Sequence, residues 1–224
     1  MFGRKKKQVE EDLKTLNERV EFTLLDPRAI SKDIQTLINV SVKNRYYGVC
    51  VNPVFVAEAR DYIDNKLKVN LAVVSVVGFP LGASSLQTKV CEAKEAIKDG
   101  ADELDVVINI GKAKEGDFSY IKNELSRIVR ISKGRIVKAI IETCYLNREE
   151  IKAVCKACER AKVDFIKTST GYGTGGATVE DLLLISECVR GKCGIKASGG
   201  IRSRAQAEEL IRAGASRIGT SRVL

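Results

Sequence analysis

Two lysines stand in nearly the same local frame. Residues 163–171 read V-D-F-I-K-T-S-T-G and residues 193–200 read C-G-I-K-A-S-G-G. Lys-x-Ser-x-Gly therefore closes a short apolar run twice, at Lys167 and at Lys196. An ammonium inside a buried strand is uncommon, because desolvating it costs several kcal/mol. Lowering a lysine pKa from about 10.4 to about 7 corresponds to roughly 4–5 kcal/mol, at about 1.36 per unit. Chains carry such a residue where a neutral amine is needed to attack a carbonyl and form a Schiff base. A single lysine could instead snorkel from the strand end to solvent; two in matched frames argue for chemistry.

Two further ionisable groups fall inside apolar runs, Asp105 in E-L-D-V-V and Lys138 in R-I-V-K-A. Three lysines and one carboxylate make a poor structural device, since buried ion pairs stabilise weakly compared with apolar packing. Chemically the set is useful. A second ammonium disfavours protonation of the first, so one lysine can be neutral while its neighbour stays charged. An iminium formed on the neutral lysine is an electron sink for breaking the adjacent C–C bond, and a carboxylate at Asp105 can pass protons through water. The chain has no histidine, which excludes Ser-His-Asp and Cys-His catalysis and His-ligated zinc. Glycine-rich segments follow: G-Y-G-T-G-G (171–176), S-G-G-I-R (198–202) and G-T-S-R (219–222). Glycine lets backbone N–H groups close on an anion, and Arg202 beside them points to phosphate.

The elements that must hold these groups repeat regularly. Strands are expected at 20–25, 46–52, 71–78, 103–110, 135–142, 164–170, 193–198 and 216–220, Val/Ile-rich and nearly continuous in apolar residues, as parallel strands covered on both faces are. Helices lie between them. Asn147, Thr178 and Ser203 read as N-caps, each three residues before a side chain able to return the bond, and Gly100 and Gly214 read as helix stops before a strand. Eight β-α steps in 224 residues predict a single α/β domain over 1–224, a (β/α)8 TIM barrel, in which the C-terminal strand ends converge on one site. The alternative is an open doubly wound sheet, but the first strand lacks its G-x-G-x-x-G. Residues 1–19 read as a basic arm and an extra N-terminal helix, at 6–19, across the lower mouth. After the eighth strand only four residues remain, so the eighth helix is missing or truncated, which predicts apolar surface available to a second subunit.

Composition narrows the setting. The net charge of +9 leaves nucleic acid open, yet the one dense basic run is Arg4–Lys7 and aromatic residues make up only 5%, too few for stacking platforms. No apolar run approaches the roughly 20 residues of a membrane span, and no apolar segment follows the basic start as in a signal peptide. Seven scattered cysteines suit reduced thiols in a cytoplasmic protein rather than a disulfide framework. The Cys155-x-x-Cys158 pair sits mid-helix and reads as packing rather than as a metal or redox centre.

The chain resembles the deoxyribose-phosphate aldolase family of class I aldolases over about residues 20–221. The likeness is carried by T-L-L-D-P (23–27), G-V-C-V-N-P (48–53), V-V-G-F-P-L-G (76–82) and E-A-K-E-A-I-K-D-G-A-D-E-L-D-V-V-I-N-I-G (92–111), then by V-K-A-I-I-E-T (137–143), D-F-I-K-T-S-T-G-Y-G-T-G-G-A-T (164–178), K-A-S-G-G-I-R (196–202) and R-I-G-T-S (217–221). The resemblance implies a lyase that reversibly cleaves 2-deoxy-D-ribose 5-phosphate to acetaldehyde and D-glyceraldehyde 3-phosphate, without metal or organic cofactor. It places the Schiff-base lysine at Lys167, the charged partner at Lys196 and the proton-relay carboxylate at Asp105. Lys138, Cys50, Asn52, Glu21 and Thr168 become supporting residues, and Gly171, Gly199, Gly200, Arg202, Gly219 and Ser221 the phosphate site. A homo-oligomer, dimer or tetramer, is implied, with neither nucleic acid nor membrane as partner. The chain departs from the family in reading Glu21-Phe22 where Asp-His is frequent, and in carrying Arg222 where a second serine or small residue is usual. Another class I phosphosugar aldolase, or a catalytically silent barrel that binds phosphometabolites, would share much of this pattern.

Overall fold

In the computed structural model, which describes Glu11, Leu13 and residues 15–224, all eight expected strands form. They are β1 Val20–Leu24, β2 Gly48–Val51, β3 Ala72–Val77, β4 Glu103–Val107, β5 Ile136–Ile140, β6 Phe165–Lys167, β7 Gly194–Ser198 and β8 Arg217–Thr220. Every neighbouring pair is parallel and β8 pairs back onto β1, so the sheet closes into a (β/α)8 barrel. The open-sheet alternative is thereby excluded. Helices α1 Ser31–Lys43, α2 Val56–Asp61, α3 Leu86–Lys98, α4 Ile110–Lys114, α5 Phe118–Ile131, α6 Arg148–Ala161, α7 Val179–Val189 and α8 Arg204–Arg212 form the outer layer. α6 shows why such segments fold as they do. Ile151, Val154, Cys155, Cys158 and Ala161 recur at three- and four-residue spacing and are buried, giving a core-facing stripe. Asn147 caps its first turn, and Glu150 returns the bond to the Asn147 N–H at 2.7 Å. Thr178 and Ser203 cap as expected too, but Gln206 reaches the Arg202 N–H rather than that of Ser203.

The ends of the chain differ from expectation. Of the helix expected at 6–19, the described residues Glu11 and Leu13 are helical and the segment closes in a 3-10 turn, Leu16–Arg19; the basic arm lies outside the described residues. No helix follows β8, yet the outward residues Phe22 of β1 and Ile218 of β8 are buried. Tyr46 packs beside Phe22 with ring centroids 5.6 Å apart, and the Leu224 N–H donates to the Tyr46 hydroxyl at 3.0 Å. Phe22 and Ile218 are thus not left bare, as the sequence reading expected of this face.

Inside the barrel the wall is divided. Cys50, Val74 and Val76 of β2 and β3 pack with Leu25 and Phe79 into an apolar half, and the charged residues project from the other strands. Among the described residues no helix is long and apolar enough to cross a membrane.

Candidate active site

Strand register decides which charged groups meet. β4 and β5 set Asp105 opposite Lys138, and β6 and β7 set Lys167 opposite Lys196. Between β5 and β6, however, Lys167 is level with Ile140, two residues above Lys138. The four groups therefore lie at more than one depth, because closing a barrel staggers its strands. Lys167 ends nearest the mouth and lines a cleft of about 450 Å³ that Asp105, Lys138 and Lys196 do not reach.

Asp105 is the hub. Its Oδ2 accepts from Lys167 Nζ at 2.7 Å and from Lys196 Nζ at 2.6 Å, and its Oδ1 accepts from Lys138 Nζ at 2.8 Å. The sequence reading of one carboxylate among three lysines undercounts the set. Glu21 pairs with Lys196, with Lys138 at 3.2 Å and with Arg217 at 3.0 Å, and Glu103 lies 2.5 Å from Lys138. Four cations thus face three carboxylates. At the floor, the Arg217 guanidinium lies over the Tyr47 ring, 3.4 Å from its centroid, and the Tyr47 hydroxyl donates to Glu103.

The charges follow from this packing. Burial alone would neutralise Asp105, but Lys138, Lys167 and Lys196 override it and hold its carboxyl well below the usual range. Burial likewise opposes the Lys196 charge, and Asp105 and Glu21 more than offset it, so its pKa is raised. Lys138 is raised in the same way by Asp105, Glu21 and Glu103. Lys196 is thus a fixed ammonium in the neutral range, completely buried, next to an amine that opens onto a cleft. Such a pair can supply a nucleophile and a charge that stays in place.

The supporting residues play varied parts. Burial pushes the Cys50 thiol up to about 11, and its sulfur stands 4.0 Å from Asp105 Oδ2. Asn52 donates to the Leu25 carbonyl at 3.2 Å, and Thr168 stitches β6 to β7 through Ser198 O and N. The Thr168 N–H also donates to the Lys196 carbonyl at 3.1 Å, which ties the backbone of the two lysine strands together. Glu21, Cys50 and Asp105 bring three potential metal-ligand atoms within 4.8 Å. Ammonium groups already occupy both carboxylates and the thiol holds its proton near neutral pH, so the donor set suits proton transfer rather than a cation. Burial also ranks the thiols toward reagents. Iodoacetamide at pH 8 should label exposed Cys91 first and leave buried Cys50, Cys155 and Cys158 unmodified in the folded protein, as peptide mass analysis would read directly.

All six residues expected at the anion end line the cleft: Gly171, Gly199, Gly200, Arg202, Gly219 and Ser221. Arg222 of the 219–222 segment lines it too, as do Asp26 and Tyr172, which sequence reasoning did not assign there. Gly199 and Gly200 have φ of 85° and 76°, and among the described residues their N–H groups have no protein acceptor. A side chain at Gly176 would meet the Gly199 carbonyl at 2.2 Å, so glycine there lets the loops after β6 and β7 touch. The Tyr172 hydroxyl crosses the mouth to donate to the Leu25 carbonyl at 2.8 Å.

Glu142 also went unassigned. Of the six non-glycine residues with positive φ among those described, five lie at helix ends and only Glu142, at 52°, follows a strand. Such a conformation costs on the order of 1–3 kcal/mol. Its carboxyl is buried and accepts from the Thr170 N–H at 3.1 Å and from the Thr170 hydroxyl.

A closed parallel barrel with a lysine at the mouth, a carboxylate beneath it and a glycine-lined cleft beside it is the arrangement of a barrel aldolase. Residues 8–220 match the model of the DeoC/LacD family aldolases, and the chain belongs to that family. It is 50% identical over 204 residues to the deoxyribose-phosphate aldolase of Thermococcus kodakarensis, covering 90% of this chain and 91% of that one. It is 47% identical to that of Clostridium botulinum over 206 residues, 92% and 96% of the two chains. Among solved structures, the tetrameric deoxyribose phosphate aldolase from Aeropyrum pernix superposes with a TM-score of 0.86 at 32% identity, covering 95% and 92%.

Proposed function

We propose that this aldolase cleaves 2-deoxy-D-ribose 5-phosphate through a Schiff base on Lys167. The observation that carries the reading is that Lys167 alone of the three lysines reaches the cleft, at the end where the glycine loops gather. In the open-chain sugar the Lys167 nitrogen attacks the C1 aldehyde, and the carbinolamine loses water to give an iminium. The C3 hydroxyl gives up its proton, the C2–C3 bond breaks, and its electrons pass into the iminium. D-glyceraldehyde 3-phosphate leaves and an enamine remains. Protonation at C2 and hydrolysis then release acetaldehyde and restore the amine. Asp105 shuttles the protons, by water where it cannot reach, and Lys196 stays charged to stabilise the anionic stages. Lys138, with Glu21, fixes the orientation of Asp105. The 5-phosphate rests on Gly171, Gly199, Gly200, Gly219 and Ser221, and Arg202 and Arg222 supply positive charge.

The identity of the T. kodakarensis and C. botulinum relatives supports this substrate over other phosphosugars. The test is a comparison of turnover on deoxyribose 5-phosphate, fructose 1,6-bisphosphate and fructose 1-phosphate. The pentose phosphate should be cleaved with kcat/KM about 10²-fold or more above either ketose phosphate; equal or better turnover of a ketose would reassign the substrate. The tetrameric A. pernix structure and exposed Ile30, Val54 and Leu81 support a homo-oligomer, and the free thiols suit the cytoplasm.

A further inference from the structure

We infer that Glu142 is a positioning residue for the anion end of the cleft, holding the loop after β6 so that the Gly171 amide faces the substrate's phosphate. This rests on the phosphosugar reading above. The inference starts from the backbone. The ladder between the ends of β5 and β6 continues on both sides of Glu142, from Ile141 N–H to Lys167 O at 3.0 Å and from Thr143 N–H to Thr168 O at 3.0 Å. Its positive φ swings the side chain out of the strand's alternation and under the next loop.

There it captures Thr170 by both its N–H and its hydroxyl. The Thr170 oxygen in turn accepts the Tyr172 N–H at 3.0 Å. Of three consecutive amides, the outer two are thus bonded within the protein. The middle one, Gly171 at φ 86°, has no acceptor among the described residues and lines the cleft. Gly173 completes the seat, since a Cβ there would stand 2.8 Å from Cys144 Sγ and 3.2 Å from the Glu142 carboxyl carbon. A carboxyl group would repel a phosphate at close range. Its use is therefore geometric: it fixes which amide is free, while Arg202, Arg222 and the glycine N–H groups provide the attraction.

The experiment uses full-length wild type, Glu142→Ala, Glu142→Gln and, in case the alanine variant fails to fold, Thr170→Val. Calorimetric binding of inorganic phosphate is read alongside the rate of borohydride trapping of acetaldehyde on Lys167. Glu142→Ala and Thr170→Val should weaken phosphate binding about tenfold or more, with Glu142→Gln in between because the amide still accepts from Thr170. The trapping rate should stay within about twofold of wild type, since no contact to Lys167 is lost. Kinetically, KM for deoxyribose 5-phosphate should rise while turnover of unphosphorylated deoxyribose is unchanged. Unaltered phosphate affinity in both deletion variants would overturn the inference. So would trapping that falls in step with phosphate affinity, because Glu142 would then support the whole site. Failure of wild type to trap acetaldehyde would instead strike at the aldolase reading and leave the phosphate arm to judge Glu142.

Discussion

Lys167→Ala should lose turnover by roughly 10⁴-fold or more and all borohydride-trapped adduct with acetaldehyde, while remaining folded. The first expectation follows from the absence of a substitute. Lys196 is sealed beneath the cleft, its charge held by Asp105 and Glu21, and Lys138 is tied to three carboxylates. Neither can present a neutral nitrogen to a carbonyl at the mouth. The second follows from charge balance. Removing one of four cations leaves three facing three carboxylates, so no buried charge is stranded and thermal unfolding should move by only a few degrees. Intact-mass analysis after acetaldehyde and borohydride decides the matter: a two-carbon adduct persisting in this variant would move the nucleophile to another lysine.

Asp105→Asn should be costly in both respects. The amide cannot balance the ammonium groups that converge on it, and stranding buried cations destabilises by about 3–5 kcal/mol. Losing the proton carrier should lower turnover by about 10²–10⁴-fold. The stability deficit carries a pH signature. A carboxyl depressed in the folded state contributes stability that is complete above its unfolded value and is lost as pH falls through the folded one. Asp105 is such a group, starting from 3.8. Urea unfolding of wild type and variant should therefore differ most above pH 5 and converge as pH drops below about 4. Equal stability at pH 7 would show that the cluster does not depend on this carboxylate.

The strands and the lysines were legible in the sequence because charge inside an apolar run is so unusual. The strand ends were harder. Glu21 was placed among the supporting residues only through the family resemblance, whereas Glu103 and Arg217 look like ordinary surface residues at the start of strands, and only barrel closure turns them inward. One signal was present: Glu103 and Asp105 are two residues apart, so they share a strand face. Depth was not readable, since the stagger between β5 and β6 depends on all eight strands. Glu142 was hidden for a different reason. A glutamate at a strand's end usually marks the return to solvent, and only its backbone angle shows that it turns under the next loop. The outward residues beside β8 are buried instead of bare, Phe22 with Tyr46 of the β1–β2 connection packed beside it.

The ion pair between Glu21 and Arg217 joins residues 196 positions apart, from the first strand and the last. Glu21 also holds Lys138 and Lys196, so the electrostatic frame of the site is incomplete until the final strand docks. A ribosome that has released the first seven strands has already made every lysine of the cluster, yet none sits in its working field. Catalytic competence thus requires the closed ring, and recovery of turnover during refolding should report that closure rather than formation of its parts.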